Sequence, residues 1–593
     1  MAMPPSDITD AAPVVRPASQ AWVEALAATA TIAGTPSRLL AHIVLEQAEL
    51  TPAAPALLSE RETFTYAELA RRIKGYAAWT RSAGLRKSDC VALMMSNRPD
   101  YVAIWLGLSL AGVVTALINT NLRADALTHC LKLAKPRHAI AEAAFVDDLQ
   151  SAMAGAQQDE DIARLWSHGE NDAGVPRIDT LKLDEPVPSA PVTIDDRALL
   201  IYTSGTTGLP KAAPVSHRRI LNWALWFKGL LGNRSGDRMY NCLPLYHSVG
   251  GVVAVAATLA AGGSTVIAEK FSARRFWADV TRWDCTQIQY IGELCRYLLN
   301  APATPHDKQH NIRIACGNGL REDVWQPFQK RFGIPQIVEF YASTEGSFSL
   351  FNAEGKPGAI GRIPPYLRHR FATALVKLDD VTGEPVRDSD GLCQRTSTGE
   401  AIGRIGGGGA FEGYTDAAAS ERKILRNVFS EGDAWFRSGD MMRCNAAGFY
   451  YFVDRLGDTF RWKGENVSTL EIASLLAAVP GVVDVTVYGV TIAGADGKAG
   501  MAFLDVTGAF NIQTLFDQAT AALPAYAVPV FVRVGAGLSM TETFKHKKQD
   551  LVLAGFDPSA TSEPIHVRLA GANSYRRLDP ALHADILNGA VRL

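Results

Sequence analysis

Short apolar runs alternate with helical ones along much of this chain, and that alternation restricts the fold more than any other feature. Between Phe64 and Thr120, TYAELARRIKGYAAWTRSAG reads as helix and DCVALMMS as a buried strand. DYVAIWLGLSLAG is helical again, and VVTALI is a second strand. The order recurs in GGSTVIAE, FSARRFWADVTRWDCTQIQY and IRIACGNG. Helices interleaved with short apolar strands predict a layered α/β architecture with mainly parallel sheets. Around 370–453 the texture changes to short strands and turns, which predicts a β-rich subdomain. From about Leu456, STLEIASLLAAVPGVVDVTVYGV reads as helix, turn and strand and opens a compact tail. A chain of 593 residues exceeds one ordinary core. The expected fold class is therefore α/β: a large N-terminal domain of layered α/β sheets with a β-rich subdomain, over 1–455, a hinge at 456–458, and a small mobile C-terminal α+β domain over 459–593. Residues 1 to about 60 read as a polar lead-in followed by a helical segment around Pro36–Leu50.

Several classes are disfavoured. A net charge of −2 gives no broad basic field, which argues against nucleic acid as a partner. The 8 cysteines contain no C-x-x-C pair and read as isolated thiols of a reducing compartment. The opening MAMPPSDITDAAPVV lacks a basic segment followed by an apolar one, so a secretory signal is not expected. Tyr101 to Leu122 carries no charge and is long enough to cross a bilayer, but its glycines, asparagines and strand-like second half favour a buried helix–turn–strand unit. Leu243 to Ala268 is read the same way.

The stretch with the most chemistry is YTSGTTGLPK, Tyr202 to Lys211, set between an apolar strand and KAAPVSHRRILNWALWF, which reads as helix. Backbone N–H groups in a Gly-rich turn form an anion nest, and hydroxyls with Lys211 add charge-assisted donors. A polar surface turn is the plainer alternative. The spacing is not that of a Walker loop, which places lysine directly after the second glycine of G-x-x-x-x-G-K.

The whole string closely resembles the phosphate-binding signature of the adenylate-forming superfamily, which includes acyl-CoA synthetases, luciferases and peptide-synthetase adenylation domains. Further motifs follow in the family's order: YASTEG at Tyr341–Gly346, RSGD at Arg437–Asp440, DRLGDTFRWKGENVSTLEI at Asp454–Ile472 and TETFKHKK at Thr541–Lys548. The wording of GDAWFRSGDMMR, GFYYFVDRLGDTFRWKGENVST, FGIPQIVEFYASTEG and FKHKKQDLVLAGFDP is similar to the fatty acid transport protein and very-long-chain acyl-CoA synthetase branch. The chain departs from that branch at Gly346-Ser347, at Val528 after LPAYA, and at the run Gly406–Gly409, more simply a flexible loop than a ligand grip.

The resemblance implies an AMP-forming ligase that spends ATP to turn a carboxylate into an acyl-adenylate and then passes the acyl group to CoA. Thr203, Ser204, Gly205, Thr206, Thr207, Gly208 and Lys211 would grip phosphates. Gly317 and Asn318 would border the adenine, with Tyr341 stacked on it and Ala342, Ser343 and Thr344 alongside. Glu345 and Ser204 would hold Mg²⁺, while Asp440 and Arg455 would hold the ribose. Lys545 would be the catalytic lysine; one such charge ~4 Å from the reacting phosphoryl, at an effective dielectric of ~20, contributes roughly 4 kcal/mol. His247 in PLYHSVGG is either a residue at the mouth of an acyl pocket or an ordinary core histidine. The weakly polar Val249–Leu259 could line an alkyl tunnel. Gly457 and Asp458 would act as hinge, and Trp462, Lys463, Gly464 and Glu465 would form the CoA-side loop. Alternatives stay open: an aryl or bile-acid-like carboxylate, a carrier-protein acceptor, or a membrane fatty acid transporter. The expected location is cytoplasmic, compatible with peripheral membrane association and with a homodimer.

Overall fold

The computed structural model describes residues 16–156, 164–170, 174–181, 191–203, 209–379, 382–406, 411–463, 465–492, 497–537, 548–591 and 593. They fall into two compact units. The first comprises Met1–Glu345, Phe351–Gly361 and Glu412–Glu421, and the second Gly346–Leu350, Arg362–Phe411 and Arg422–Leu593. The division thus interleaves along the chain and groups the β-rich segment with the tail.

The first unit contains two parallel sheets. One runs in the order Ile337–Ala342, Ile314–Asn318, Gln287–Ile291, Arg238–Asn241, Ser264–Ile267 and Pro55–Leu58, all parallel, with Thr63–Thr65 antiparallel beside the last. The other runs Arg164–His168, His138–Glu142, Cys90–Met94, Val114–Leu117 and Arg197–Thr203, again parallel, and ends on an antiparallel strand, Lys211–Ser216. Every residue of the helix Pro99–Leu110 is buried. Its Trp105 shares one apolar cluster with Leu57 of the first sheet and with Val91 and Leu199 of the second. Gly107 is needed there, because a Cβ would sit 2.7 Å from the Ile73 carbonyl oxygen and the Tyr76 Cβ. The uncharged stretch from Tyr101 is thus a core helix, a turn and the strand Val114–Leu117. Among the described residues no helix is long and apolar enough to cross a membrane.

One expectation needs correcting near the N-terminus. The lead-in contains a helix, Ala18–Ala30, whose low amphipathicity hid it among alanines. It is held by packing rather than by a polar–apolar pattern: Trp22 is 1% exposed and lies edge-on to Trp226 at 5.5 Å. Gly229 on the facing helix, His217–Leu231, lets the backbones meet, since a Cβ there would be 2.5 Å from the Ala25 Cα.

The expected β-rich segment lies in the second unit as antiparallel strands Phe449–Arg455, Ala434–Cys444, Thr398–Arg404 and Thr373–Val376 in that order, with Ile424–Arg426 also paired to Ala434–Cys444. The tail is a mixed sheet of Val482–Thr491, Lys498–Val506, Phe531–Gly535, Ile565–Val567 and Arg576–Arg577, with helices Thr469–Ala477 and Ile512–Ala522 in its core. Val528, one of the departures from the family wording, is buried in that core.

Candidate active site

The two segments that flank the Gly-rich stretch pair as antiparallel strands, where a strand followed by a helix was expected. Thr203, the last residue of Arg197–Thr203, pairs with Lys211, the first of Lys211–Ser216. The helix begins only at His217, capped by Ser216, whose side chain accepts the Arg219 N–H. Pro214 within KAAPVSHRR speaks against a helix there; it lies opposite Leu200 on an edge strand, where a residue without an N–H is tolerated. Ser204, Gly205, Thr206, Thr207 and Gly208 lie outside the described residues.

Beside this strand pair, the end of the strand Ile337–Ala342 delivers Tyr341, Ala342, Ser343, Thr344 and Glu345 at the carboxyl edge of the first sheet. That edge is where parallel α/β sheets bind ligands. Glu345 is buried, and its Oε1 accepts a 2.7 Å hydrogen bond from the Tyr414 hydroxyl. The Lys211 ammonium stands 5.5 Å from the Tyr414 ring centroid. Burial, then the Glu345 charge, raises the phenol far above its ordinary pKa, against a hydrogen bond from Thr203, so Tyr414 stays a donor. Arg219 reaches the same place from the helix His217–Leu231, donating to the Thr344 carbonyl at 2.5 Å and to Glu412 Oε1 at 3.3 Å. Glu412 also accepts from the Ser216 N–H at 2.8 Å and the Ser216 hydroxyl at 2.7 Å. Burial lowers the Arg219 pKa against the pull of Glu412 and Glu345, but a guanidinium stays charged. One hydrogen-bonded set therefore fixes Thr344 and Glu345 next to Lys211.

Arg219, Glu412 and Tyr414 were not foreseen. Tyr414 is 69 residues from Glu345 and Arg219 is 125 from Thr344, and no local pattern around them marks a site.

Along the same edge, Gly317 and Asn318 end the strand Ile314–Asn318. A Cβ on Gly317 would meet the Tyr290 carbonyl oxygen at 2.3 Å, so only glycine fits. The Asn318 Oδ1 is buried with no hydrogen-bond partner among the described residues, an acceptor suited to a ligand's amino group. His247 sits just before a π-helical turn, Ser248–Ala254, its ring 4.6 Å from that of Tyr246. Ser248 Oγ lies 3.4 Å from Thr344 Oγ1, which brings this turn to the Glu345 segment. Val252 of the turn, and Val255, Ala256 and Leu259 beyond it, are packed in the unit's main core.

The other residues lie in the second unit. Asp440 and Arg455 face each other across adjacent strands, with Oδ1 and Nε 3.8 Å apart. Asp458 pairs with Lys548 Nζ at 3.1 Å. Asp454 accepts the Thr469 N–H at 2.5 Å, which anchors the helix that starts there. Trp462 and Glu465 pair in the hairpin Phe460–Trp462 with Glu465–Val467. Trp462 is buried in the tail core, whereas Lys463, at φ 52°, and Glu465 are exposed at the hairpin end. Gly464 and Lys545 lie outside the described residues.

The sequence matches the AMP-binding enzyme family over residues 44–415 and the AMP-binding enzyme C-terminal domain over 471–545. The chain belongs to the AMP-binding enzyme family, in its class of AMP-forming acid–thiol ligases, and ATP is the nucleotide that family uses. Within it the chain groups with the long-chain fatty acid transport proteins. It is 39% identical over 577 residues to long-chain fatty acid transport protein 2 of Rattus norvegicus, covering 94% of this chain and 92% of the relative. It is 40% identical over 549 residues to long-chain fatty acid transport protein 1 of Mus musculus, covering 89% and 84%. Among solved structures, the anthranilate CoA ligase AuaEII in complex with anthranoyl-AMP shares the fold with a TM-score of 0.74 at 20% identity, over 87% of this chain and 97% of that one. A benzoate CoA ligase from Burkholderia xenovorans LB400 gives 0.73 at 21% identity, over 87% and 100%.

Proposed function

We propose that this enzyme joins a long- or very-long-chain fatty acid to CoA through an acyl-adenylate. The observation that carries this reading is near-full-length kinship, at 39% identity, with a long-chain fatty acid transport protein. In the first step a carboxylate oxygen of the acid attacks the α-phosphorus of ATP. The bond from that phosphorus to the bridging oxygen breaks, and pyrophosphate leaves. In the second step the CoA sulfur, having given its proton to solvent, attacks the acyl carbon, and AMP departs with the electrons of the acyl C–O bond.

The residues divide this work by charge. Both reactants of the first step are anionic, so fixed positive and hydrogen-bonding groups must lower the repulsion. Lys211 and the Ser204–Gly208 loop meet the outer phosphates, and Lys545 meets the α-phosphate. Asn318 accepts from the adenine amino group, Tyr341 stacks on the ring, and Asp440 with Arg455 holds the ribose. Glu345, one buried carboxylate beside hydroxyl-bearing residues, suits Mg²⁺, which takes few carboxylates and completes its shell from phosphates and water. Glu345 and Ser204 would hold that ion, which supplies charge neutralisation. After adenylation the tail turns about Leu456–Asp458, withdraws Lys545 and brings the Trp462–Glu465 hairpin to the acyl-adenylate.

Acid-dependent exchange between ATP and pyrophosphate, across a chain-length series that includes benzoate, tests the reading. Exchange that rises with alkyl chain length supports it; exchange with aryl acids alone, or none at all, overturns it. The protein works from the cytoplasmic side as a peripheral membrane enzyme and drives uptake by trapping fatty acid as its thioester. The relatives' names, long-chain fatty acid transport proteins, favour the rival reading of a transporter, and an integral one requires the active protein to stay in membranes through a carbonate wash.

A further inference from the structure

A carboxyl given no site role by its motif lies beneath the nucleotide-facing edge. Glu339, 1% exposed, belongs to the strand that ends in Tyr341 and pairs with Gly317 on the neighbouring strand. Its Oε1 accepts the Leu320 N–H at 3.0 Å, and the Gly319 N–H also points to the carboxyl. Its Oε2 lies 2.5 Å from the Tyr290 hydroxyl, and Tyr290 pairs with Gly317 from the other side. The carboxyl thus joins the ends of three adjacent strands to the turn after Asn318. That turn is cramped: Gly319 has φ +79°, and a Cβ on Gly292 would be 1.7 Å from the Gly319 carbonyl oxygen.

Burying a carboxyl this deeply is unfavourable unless its bonds do what an apolar side chain could not. We infer that Glu339 is a positioning residue for the nucleotide, holding the Asn318–Leu320 turn in register with Tyr341 so that the adenine meets a preformed edge. The inference rests on the proposed adenine site at Gly317, Asn318 and Tyr341. Burial raises the Glu339 pKa to about 8, so at neutral pH it carries a proton. In that form Oε2 accepts from the Tyr290 hydroxyl while Oε1 accepts from the turn. The titratable groups that face it are Tyr290, Cys316 on the strand between, and Cys295 on the helix Gly292–Asn300, near Glu293. Burial pushes the tyrosine and both thiols far up, so all three stay neutral.

Calorimetric titration of AMP into the full chain tests this, together with KM values for ATP and for the acid. Gln reproduces the protonated carboxyl, so E339Q binds AMP within about threefold of the parent, less than 1 kcal/mol. The parent loses AMP affinity between about pH 7 and about pH 9 as Glu339 ionises, and E339Q does not. E339A binds AMP at least about tenfold more weakly. Tyr290→Phe, which keeps the ring against Gly317 and removes one hydroxyl, weakens it about threefold. KM for ATP rises in both, and KM for the acid does not. If E339A fails to fold, Y290F and the pH profile decide. Parental AMP affinity in both variants, an equal rise of both KM values, or a flat parental pH profile overturns the positioning role alone. A parent that binds no AMP overturns the adenylation reading, and the role with it.

Discussion

Replacing Arg219 by Met removes the cation that ties Glu412 to the Thr344–Glu345 segment. Its Nε stands 3.3 Å from Glu412 Oε1, and its side chain is 9% exposed against 19% for Glu412. At an effective dielectric of ~20 that separation corresponds to a gross attraction of ~5 kcal/mol. Two features reduce the loss. Glu412 keeps its two bonds from Ser216, and desolvation already opposes the Arg219 charge. Against them, the Thr344 carbonyl loses its 2.5 Å donor. R219M is therefore expected to destabilise the first unit by about 3 kcal/mol, near the low end for breaking one side of a buried pair. In a double-mutant cycle with E412Q the coupling should be about 2 kcal/mol. Urea unfolding followed by tryptophan fluorescence reads this directly, because Trp223 lies 6.0 Å from the guanidinium. ATP–pyrophosphate exchange, measured where both variants are folded, should fall at least about tenfold in R219M, the equivalent of ~1.4 kcal/mol in the barrier. Effects that add to within about 0.5 kcal/mol, with exchange unchanged, would refute this account of how Glu345 is held.

Three further outcomes are expected. K545A should lose acyl-AMP formation yet still transfer preformed acyl-AMP to CoA; equal loss of both half-reactions, followed by product chromatography, speaks against a tail that serves two conformations. D440N should weaken AMP binding about tenfold with little change in melting temperature, since an ion pair to a half-exposed Arg455 adds little stability; a large fall in melting temperature would make the pair structural. The raised Glu339 pKa, from 4.5 to about 8, means that its stabilising contribution is complete below about pH 4.5 and is lost as pH rises toward 8. E339Q should therefore gain on the parent as pH rises, by about 3 kcal/mol at about pH 7, in unfolding titrations at several pH values. Parallel curves for the two proteins would mean the carboxyl is not buried as described.

Local pattern carried much of the architecture. The strands Cys90–Met94, Ser264–Ile267, Gln287–Ile291 and Ile314–Asn318 were legible because each is a short apolar run between helical or turn-forming sequence. It failed where packing overrode it. Ala18–Ala30 has no clear polar face and is held by Trp22 against Trp226, while Lys211–Ser216 is a strand because Arg197–Thr203 pairs with it.

The sequence by itself determined the alternating architecture, the order of the nucleotide motifs and membership of the AMP-binding enzymes. Each is written in residues close together along the chain. Tertiary structure alone decided which side chains support them. Tyr414 on Glu345, Arg219 between Glu412 and Thr344, and Glu339 under the Asn318–Leu320 turn join residues remote in sequence or hidden inside a strand. A hydrogen bond depends on angstrom distances that only the packed chain sets, and a buried charge reveals its role only once its partners are in place.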